Sequence, residues 1–217
     1  MESQKFVITI NREFGSGGGE VARKLADLLG VKVYDKKILS TLTEKYDLTI
    51  EEMERIKSKK LNWWSEFCRF YSQYISVAQF ANTSVFPSFN REITSLELYY
   101  SEAKILHELA EKESCVIIGR TGFHIFKDDP AAIRILFIAN MDYRIQRVMK
   151  KYGVDQKTAI ERIEALDESR ENFTKTFAGV SRYDARNYDF VINISNLSTD
   201  GVAKFLAHNI RLKYPEQ

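Results

Sequence analysis

The chain has 217 residues, 44% of them hydrophobic and 29% charged, and its 32 lysines and arginines against 30 aspartates and glutamates leave a formal charge of +2. That balance excludes intrinsic disorder and gives no overall electrostatic case for a nucleic-acid or membrane-surface protein. The length fits one domain with an inserted segment, no apolar run approaches the roughly 18 residues of a transmembrane helix, and Cys68 and Cys115 form no disulfide framework, so a reduced cytoplasmic protein is expected.

Phe6 to Ile10 is a short β-branched run that predicts a strand, and Gly15-Ser16-Gly17-Gly18-Gly19 follows it after four residues. Beyond the glycines, Val21, Leu25, Leu28 and Leu29 share a helical face with Ala22 and Ala26, and Gly30 stands where a helix C-cap belongs. Val31 to Tyr34 reads as a second strand with Asp35 at its carboxyl end. From Asp47 to about Arg91 the texture turns charged and aromatic, with Trp63, Trp64, Phe67, Phe70, Tyr71, Tyr74 and Phe80 in a short span, and this stretch is read as a helical insertion. Its aromatics read as packing or a homodimer contact rather than a base-stacking platform, and Lys57 to Lys60 as a solvated helix end.

A helix carrying Leu98, Ile105, Leu106, Leu109 and Ala110 on one face leads back to the core. Cys115 to Ile118 and Ile133 to Ile138 are continuous apolar runs, the pattern of strands covered on both faces, and Cys115 reads as core filler. Helices over about Asp142 to Tyr152 and Asp155 to Leu166 precede a last strand, Phe190 to Ile194. A terminal helix sets its register by Val202, Phe205, Leu206 and Ile210, with Thr199 as N-cap. Alternating strands and helices predict a doubly wound parallel sheet of about five strands, whose ligands bind at the carboxyl ends of the strands.

A strand, closely spaced glycines and then a helix gather backbone N–H groups and the positive end of a helix dipole around one point, which attracts phosphate. A full phosphate loop also carries a lysine for the β- and γ-phosphates and a Ser or Thr hydroxyl for magnesium. Here the lysine slot is Gly18 and the hydroxyl slot is Gly19 or Glu20, so a charge worth roughly 3–4 kcal/mol at a transferring phosphoryl group is missing. Arg12 is the nearest cation able to fold back over the loop, while Arg23 and Lys24 lie on the following helix, where they can face solvent. Ser16, Asp35 or water alone are the candidate magnesium ligands. His107, His124 and His208 are too scattered for a metal cluster.

Asn11-Arg12-Glu13-Phe14-Gly15-Ser16-Gly17-Gly18, then Glu20-Val21-Ala22, Leu29-Gly30, Tyr34-Asp35, Ile118-Gly119-Arg120 and Asn187-Tyr188-Asp189 together resemble the cytidylate-kinase-like family. The resemblance implies a P-loop NTPase-like three-layer α/β sandwich, with 1–46 and 92–217 as the core, a lid at about 152–171 and 47–91 as a helical insertion in the acceptor-binding position. It further implies a kinase that moves the γ-phosphoryl of ATP, with Mg²⁺, to a nucleoside monophosphate or another small phosphorylated acceptor. Gly15, Ser16, Gly17, Gly18 and Gly19 would bind ATP phosphates, and Arg12, Arg120, Arg162 and Arg170 would carry catalysis. Asp35, Arg120, Asp167 and Arg170 would hold the acceptor, and Arg144 and Arg147 are lid candidates. The lost lysine keeps an alternative open, a catalytically weak or inactive nucleotide- or phosphate-binding module that acts through its insertion or by dimerising. Gly19 stands where many members of the family carry arginine, and no carboxylate follows Gly119-Arg120 to hold magnesium.

Overall fold

The computed structural model describes residues 5–35 and 95–215. The expected insertion at 47–91, its aromatics, Lys57 to Lys60 and Cys68 lie outside the described residues. Five strands make one parallel sheet: β1 (Val7–Arg12), β2 (Lys32–Tyr34), β3 (Cys115–Ile118), β4 (Ala132–Ile138) and β5 (Phe190–Asn193), in the order β2-β3-β1-β4-β5. The helices are α1 (Gly18–Leu29), α2 (Ser95–Lys112), the short α3 (Gly122–Ile125), α4 (Met141–Tyr152), α5 (Gln156–Ala178) and α6 (Thr199–Lys213). Central β1 pairs with β3 on one side, Val7 against Cys115, and with β4 on the other, Val7 against Ala132.

Strand periodicity divides the core. Ile8, Ile10, Val116, Ile118, Ile135 and Phe137 face a layer built from Val21, Ala22 and Leu25 of α1 and Val202, Leu206 and Ile210 of α6. Val7, Cys115 and Ile117 face the opposite layer, where Ile105 and Leu106 of α2 and Phe126 close the sheet. Each fully buried aliphatic side chain contributes roughly 1.5–3 kcal/mol of transfer free energy, which is why the near-continuous apolar runs of β3 and β4 become interior strands. Burial pushes the Cys115 thiol up to about 12, so it is inert filler in this layer.

The periodic reading errs where one helical face is wider than its contact. Phe205 is exposed on α6 apart from an edge contact with Phe190, and Leu28 is exposed at the end of α1. Ser198, not Thr199, caps α6, accepting from Gly201 N–H at 3.0 Å, because Thr199 turns its hydroxyl to Glu20. The helix expected to stop at Leu166 continues to Ala178, so the region expected as a lid is largely one arm of a helix whose Ala159 and Ile163 pack on Ile145 and Val148 of α4. Asp155 caps that helix by accepting from Thr158 N–H at 2.7 Å, and Gly179 closes it in the left-handed region.

Candidate active site

β1 runs two residues further than its apolar stretch, delivering Asn11 and Arg12 to the carboxyl edge of the sheet at the start of the glycine loop. Gly15 and Gly17 take φ of 82° and 93°, the left-handed region that a β-carbon disfavours. A β-carbon on Gly15 would also press at 3.0 Å on the Arg144 carbonyl, so the loop lies flat against α4. Among the described residues no acceptor takes up the amides of Gly15, Gly17 or Gly19, which leaves three N–H groups around the N-terminus of α1. That is an anion cradle.

The underside of the loop is held by ion pairs. Asp167 accepts from Phe14 N–H at 2.9 Å, its other oxygen pairs with Arg144 Nη2, and Arg144 Nε donates to the Phe14 carbonyl at 2.8 Å. Glu13 accepts from Ala139 N–H at 2.8 Å and lies 3.4 Å from Arg144, tying the loop to the end of β4. Asp167 and Arg144 thus hold the loop from beneath. Burying such charges costs several kcal/mol each unless every one is paired and hydrogen-bonded, as these are.

The second part of the site is a pocket of about 120 Å³ at the ends of β1 and β3. Among the described residues its lining contains Arg12, Arg120, Arg170 and Arg182 with Asn11 and Thr121. Gly119, Arg120 and Thr121 all adopt positive φ, 80°, 57° and 52°, and for the latter two this costs on the order of 1–3 kcal/mol each. The bend places Arg120 against Glu102 of α2, with its guanidinium 5.9 Å from the Phe173 ring. Arg12 does not fold back over the glycines: its Nη1 lies so close to Gly119 that a β-carbon there would collide with it. Arg170 Nη1 donates to the Arg12 carbonyl at 3.3 Å and stands 3.5 Å from Asp167.

Arg182 escaped the sequence reading. It is 1% exposed; Nη2 donates to Asn11 Oδ1 at 2.9 Å and to the Arg12 carbonyl, while Nη1 lies 3.6 Å from Asp167 and neither Nη1 nor Nε makes a hydrogen bond. Tyr188 donates to the Arg182 carbonyl at 2.7 Å and accepts from Asn11 Nδ2 at 2.7 Å. Glu102 was missed as well, although a carboxylate on the stripe of Ile105 and Leu106 was a readable signal. Among the described residues, Glu13 and Asp167 both lie against Arg144, and Asp167 also lies against Arg170 and Arg182.

Arg147 stands on the other side of the loop. A β-carbon on Gly17 would lie 3.1 Å from its Cζ; Nη2 pairs with Glu20 at 3.0 Å and the guanidinium lies 5.6 Å from the Tyr143 ring. Arg162 is further out on α5, with its guanidinium 5.8 Å from the Tyr152 ring. Asp35 follows β2, half-buried.

The donors for magnesium are not gathered by the described residues. Ser16 is buried, its hydroxyl donating to the Glu13 carbonyl at 2.9 Å and accepting from Gly18 N–H at 3.2 Å, so it is spent inside the loop. The described residues hold no cluster of three His, Cys, Asp or Glu, and burial lowers the pKa of His124. Among them no helix is long and apolar enough to cross a membrane.

This arrangement has relatives. The cytidylate kinase of Methanopyrus kandleri is 26% identical over 209 residues, covering 92% of this chain and 90% of that protein. The cytidylate kinase of Pyrococcus horikoshii is 24% identical over 204 residues, covering 93% and 86%. The crystal structure of an uncharacterized protein from Eubacterium ventriosum superposes with a TM-score of 0.70 at 26% identity, over 96% of this chain and 99% of that one. The fold is the P-loop NTPase-like α/β sandwich. Because the model of the cytidylate kinase-like family matches residues 7–196, from the first strand through the loop, the pocket and the last strand, the chain belongs to that family.

Proposed function

We propose that this chain is a kinase that transfers the γ-phosphoryl group of ATP to a nucleoside monophosphate or another small phosphorylated acceptor. The observation that carries the reading is the adjacency of two anion sites: the amides of Gly15, Gly17 and Gly19 at the start of α1, and a pocket lined by four arginines. Phosphoryl transfer requires positioning and the neutralisation of spread negative charge more than a nucleophilic side chain, and that is what these residues offer.

The glycine amides hold the donor phosphates, and Arg120 and Arg170 hold the acceptor phosphate, with Arg12 beside Gly119 in the same pocket. An acceptor phosphate oxygen bonds to the γ-phosphorus as the bond from that phosphorus to the β–γ bridging oxygen breaks, and the electron pair leaves with ADP. The acceptor oxygen is already ionised at neutral pH, so no side chain has to take a proton. Magnesium, as such kinases use it, would supply charge neutralisation on the donor phosphates; the described residues fit only a cation that keeps its waters and phosphate ligands. The insertion at 47–91 would complete the acceptor side.

A second reading, a module that binds nucleotide without useful turnover, is favoured by the packing that closes the lysine slot: a β-carbon on Gly18 would lie 2.8 Å from Phe137 Cδ2 and 2.9 Å from Arg12 Cβ. A coupled ADP-release assay over nucleoside monophosphates separates the two. The kinase reading expects at least one acceptor to raise ADP release above background and Arg120→Ala to lower that rate by roughly 100-fold. ATP binding with no acceptor-dependent release would leave the binding module.

A further inference from the structure

We infer that Arg147 is the residue that does the work of the missing loop lysine, contacting the polyphosphate of the donor directly from above Gly17. This rests on the kinase reading and names a catalytic residue within it.

Among the described residues, Arg12, Arg23, Arg144 and Arg147 lie near the loop, and Arg23 Nη1 donates to the Gly19 carbonyl at 3.1 Å. Arg12 lies against Gly119, on the acceptor side. Arg144 is buried and committed to Asp167 and to the Phe14 carbonyl. Among the described residues Arg147, one helical turn beyond Arg144 on α4, is the guanidinium nearest Gly17: a β-carbon there would meet its Cζ at 3.1 Å, Nη2 at 3.2 Å and Nε at 3.4 Å. Glycine at 17 is thus needed for φ of 93° and also for room beneath a cation.

Three contacts aim the side chain. Glu20 takes Nη2 at 3.0 Å, Tyr143 accepts weakly from Nη1 at 3.4 Å, and the guanidinium carbon lies 5.6 Å from the centre of the Tyr143 ring. Glu20 is itself anchored, one oxygen accepting from Thr199 at 2.7 Å and pairing with Lys24 at 3.0 Å. A guanidinium has five N–H donors in a fixed fork, so the bonds to Glu20 and Tyr143 leave donors for phosphate oxygens, and its side chain is 37% exposed on the open face of the loop. Sequence position explains the substitution: the lysine slot at Gly18 is closed by Phe137 and Arg12, so the charge arrives from another helix.

Gly19 supplies the means of testing this. A β-carbon there meets nothing nearer than Arg23 Nη1 at 3.8 Å, so a cation can be installed one residue past the blocked slot. The full-length chain is titrated calorimetrically with ATP in the presence of magnesium and, separately, with inorganic tripolyphosphate, which has no base to stack. Arg147→Ala is expected to weaken both ligands by about tenfold to hundredfold, Arg147→Ala with Gly19→Lys to recover most of that loss, and Arg186→Ala, an exposed arginine paired with Asp184, to change neither. Thermal melting confirms that each variant is folded. Arg147→Ala binding tripolyphosphate within about twofold of the unaltered chain overturns the inference while leaving the kinase reading intact. An unaltered chain that binds neither ligand overturns both.

Discussion

The two sides of the glycine loop use the same residue for opposite purposes. Arg144 and Arg147 are three residues apart on α4, yet the first is sealed beneath the loop with Asp167 and Glu13, and the second lies on its open face with Glu20. Burial makes the difference: a guanidinium cut off from water must spend its donors on fixed acceptors, whereas one at the surface keeps donors for a ligand. The lower side gives the loop its shape and the upper side gives it charge.

The strongest way to break that division is to remove Asp167. Asp167→Ala would leave Arg144 with only Glu13, strip Arg170 and Arg182 of their shared carboxylate and orphan the Phe14 amide. A loss of about 3–5 kcal/mol is expected in urea unfolding, the penalty for an uncompensated buried charge. A loss below about 1 kcal/mol, the level of an exposed pair, would show that the cluster is not what holds the loop.

The next effect compares the two arginines directly. Arg144→Ala should cost about 3 kcal/mol or more of stability. Arg147→Ala should cost no more than about 1 kcal/mol, since its pair with Glu20 is solvent-screened. Nucleotide affinity should rank the folded variants in a different order from the melting curves, with Arg147→Ala binding poorly while melting normally. If Arg147→Ala were the less stable of the two, the assignment of scaffold and ligand roles would have to be exchanged.

What the sequence made legible divides along the same line. The glycines, the strand before them and the Gly119-Arg120 bend are local features, and each was placed on its element from residues within a few positions. The five-strand parallel sheet followed from alternating periodicity. Arg182 was not legible because its partners Asn11 and Arg12 are about 170 positions away, in a loop with no periodicity to mark it. Asp167 fell just past the expected end of its helix and took its acceptor role from the family resemblance, and its bond to the Phe14 amide was not legible because Phe14 is 153 positions away. Arg147 was grouped with Arg144 because the family resemblance sets both among the lid candidates, and it does not show which of them is covered.

The smallest expected effect tests how firmly Glu20 aims Arg147, through pH. The Thr199 hydroxyl, with help from the Lys24 ammonium, holds the Glu20 carboxyl down at about 2, against an ordinary 4.5. A carboxylate whose folded pKa is depressed stabilises the fold fully above its unfolded value and loses that contribution as pH falls through the folded one. Glu20→Gln should therefore be less stable than the unaltered chain at pH 7, by a few tenths to about 1 kcal/mol because the carboxylate is 45% exposed and screened. The gap should narrow as pH drops below about 4.5 and vanish near 2, where both forms carry a neutral side chain at this position. Urea midpoints across that range read the difference. A gap that stays constant with pH would mean that the shape of the Glu20 side chain, and not its charge, holds α1 to α6, and Arg147 would then be aimed by Tyr143 and the bare surface of Gly17 alone.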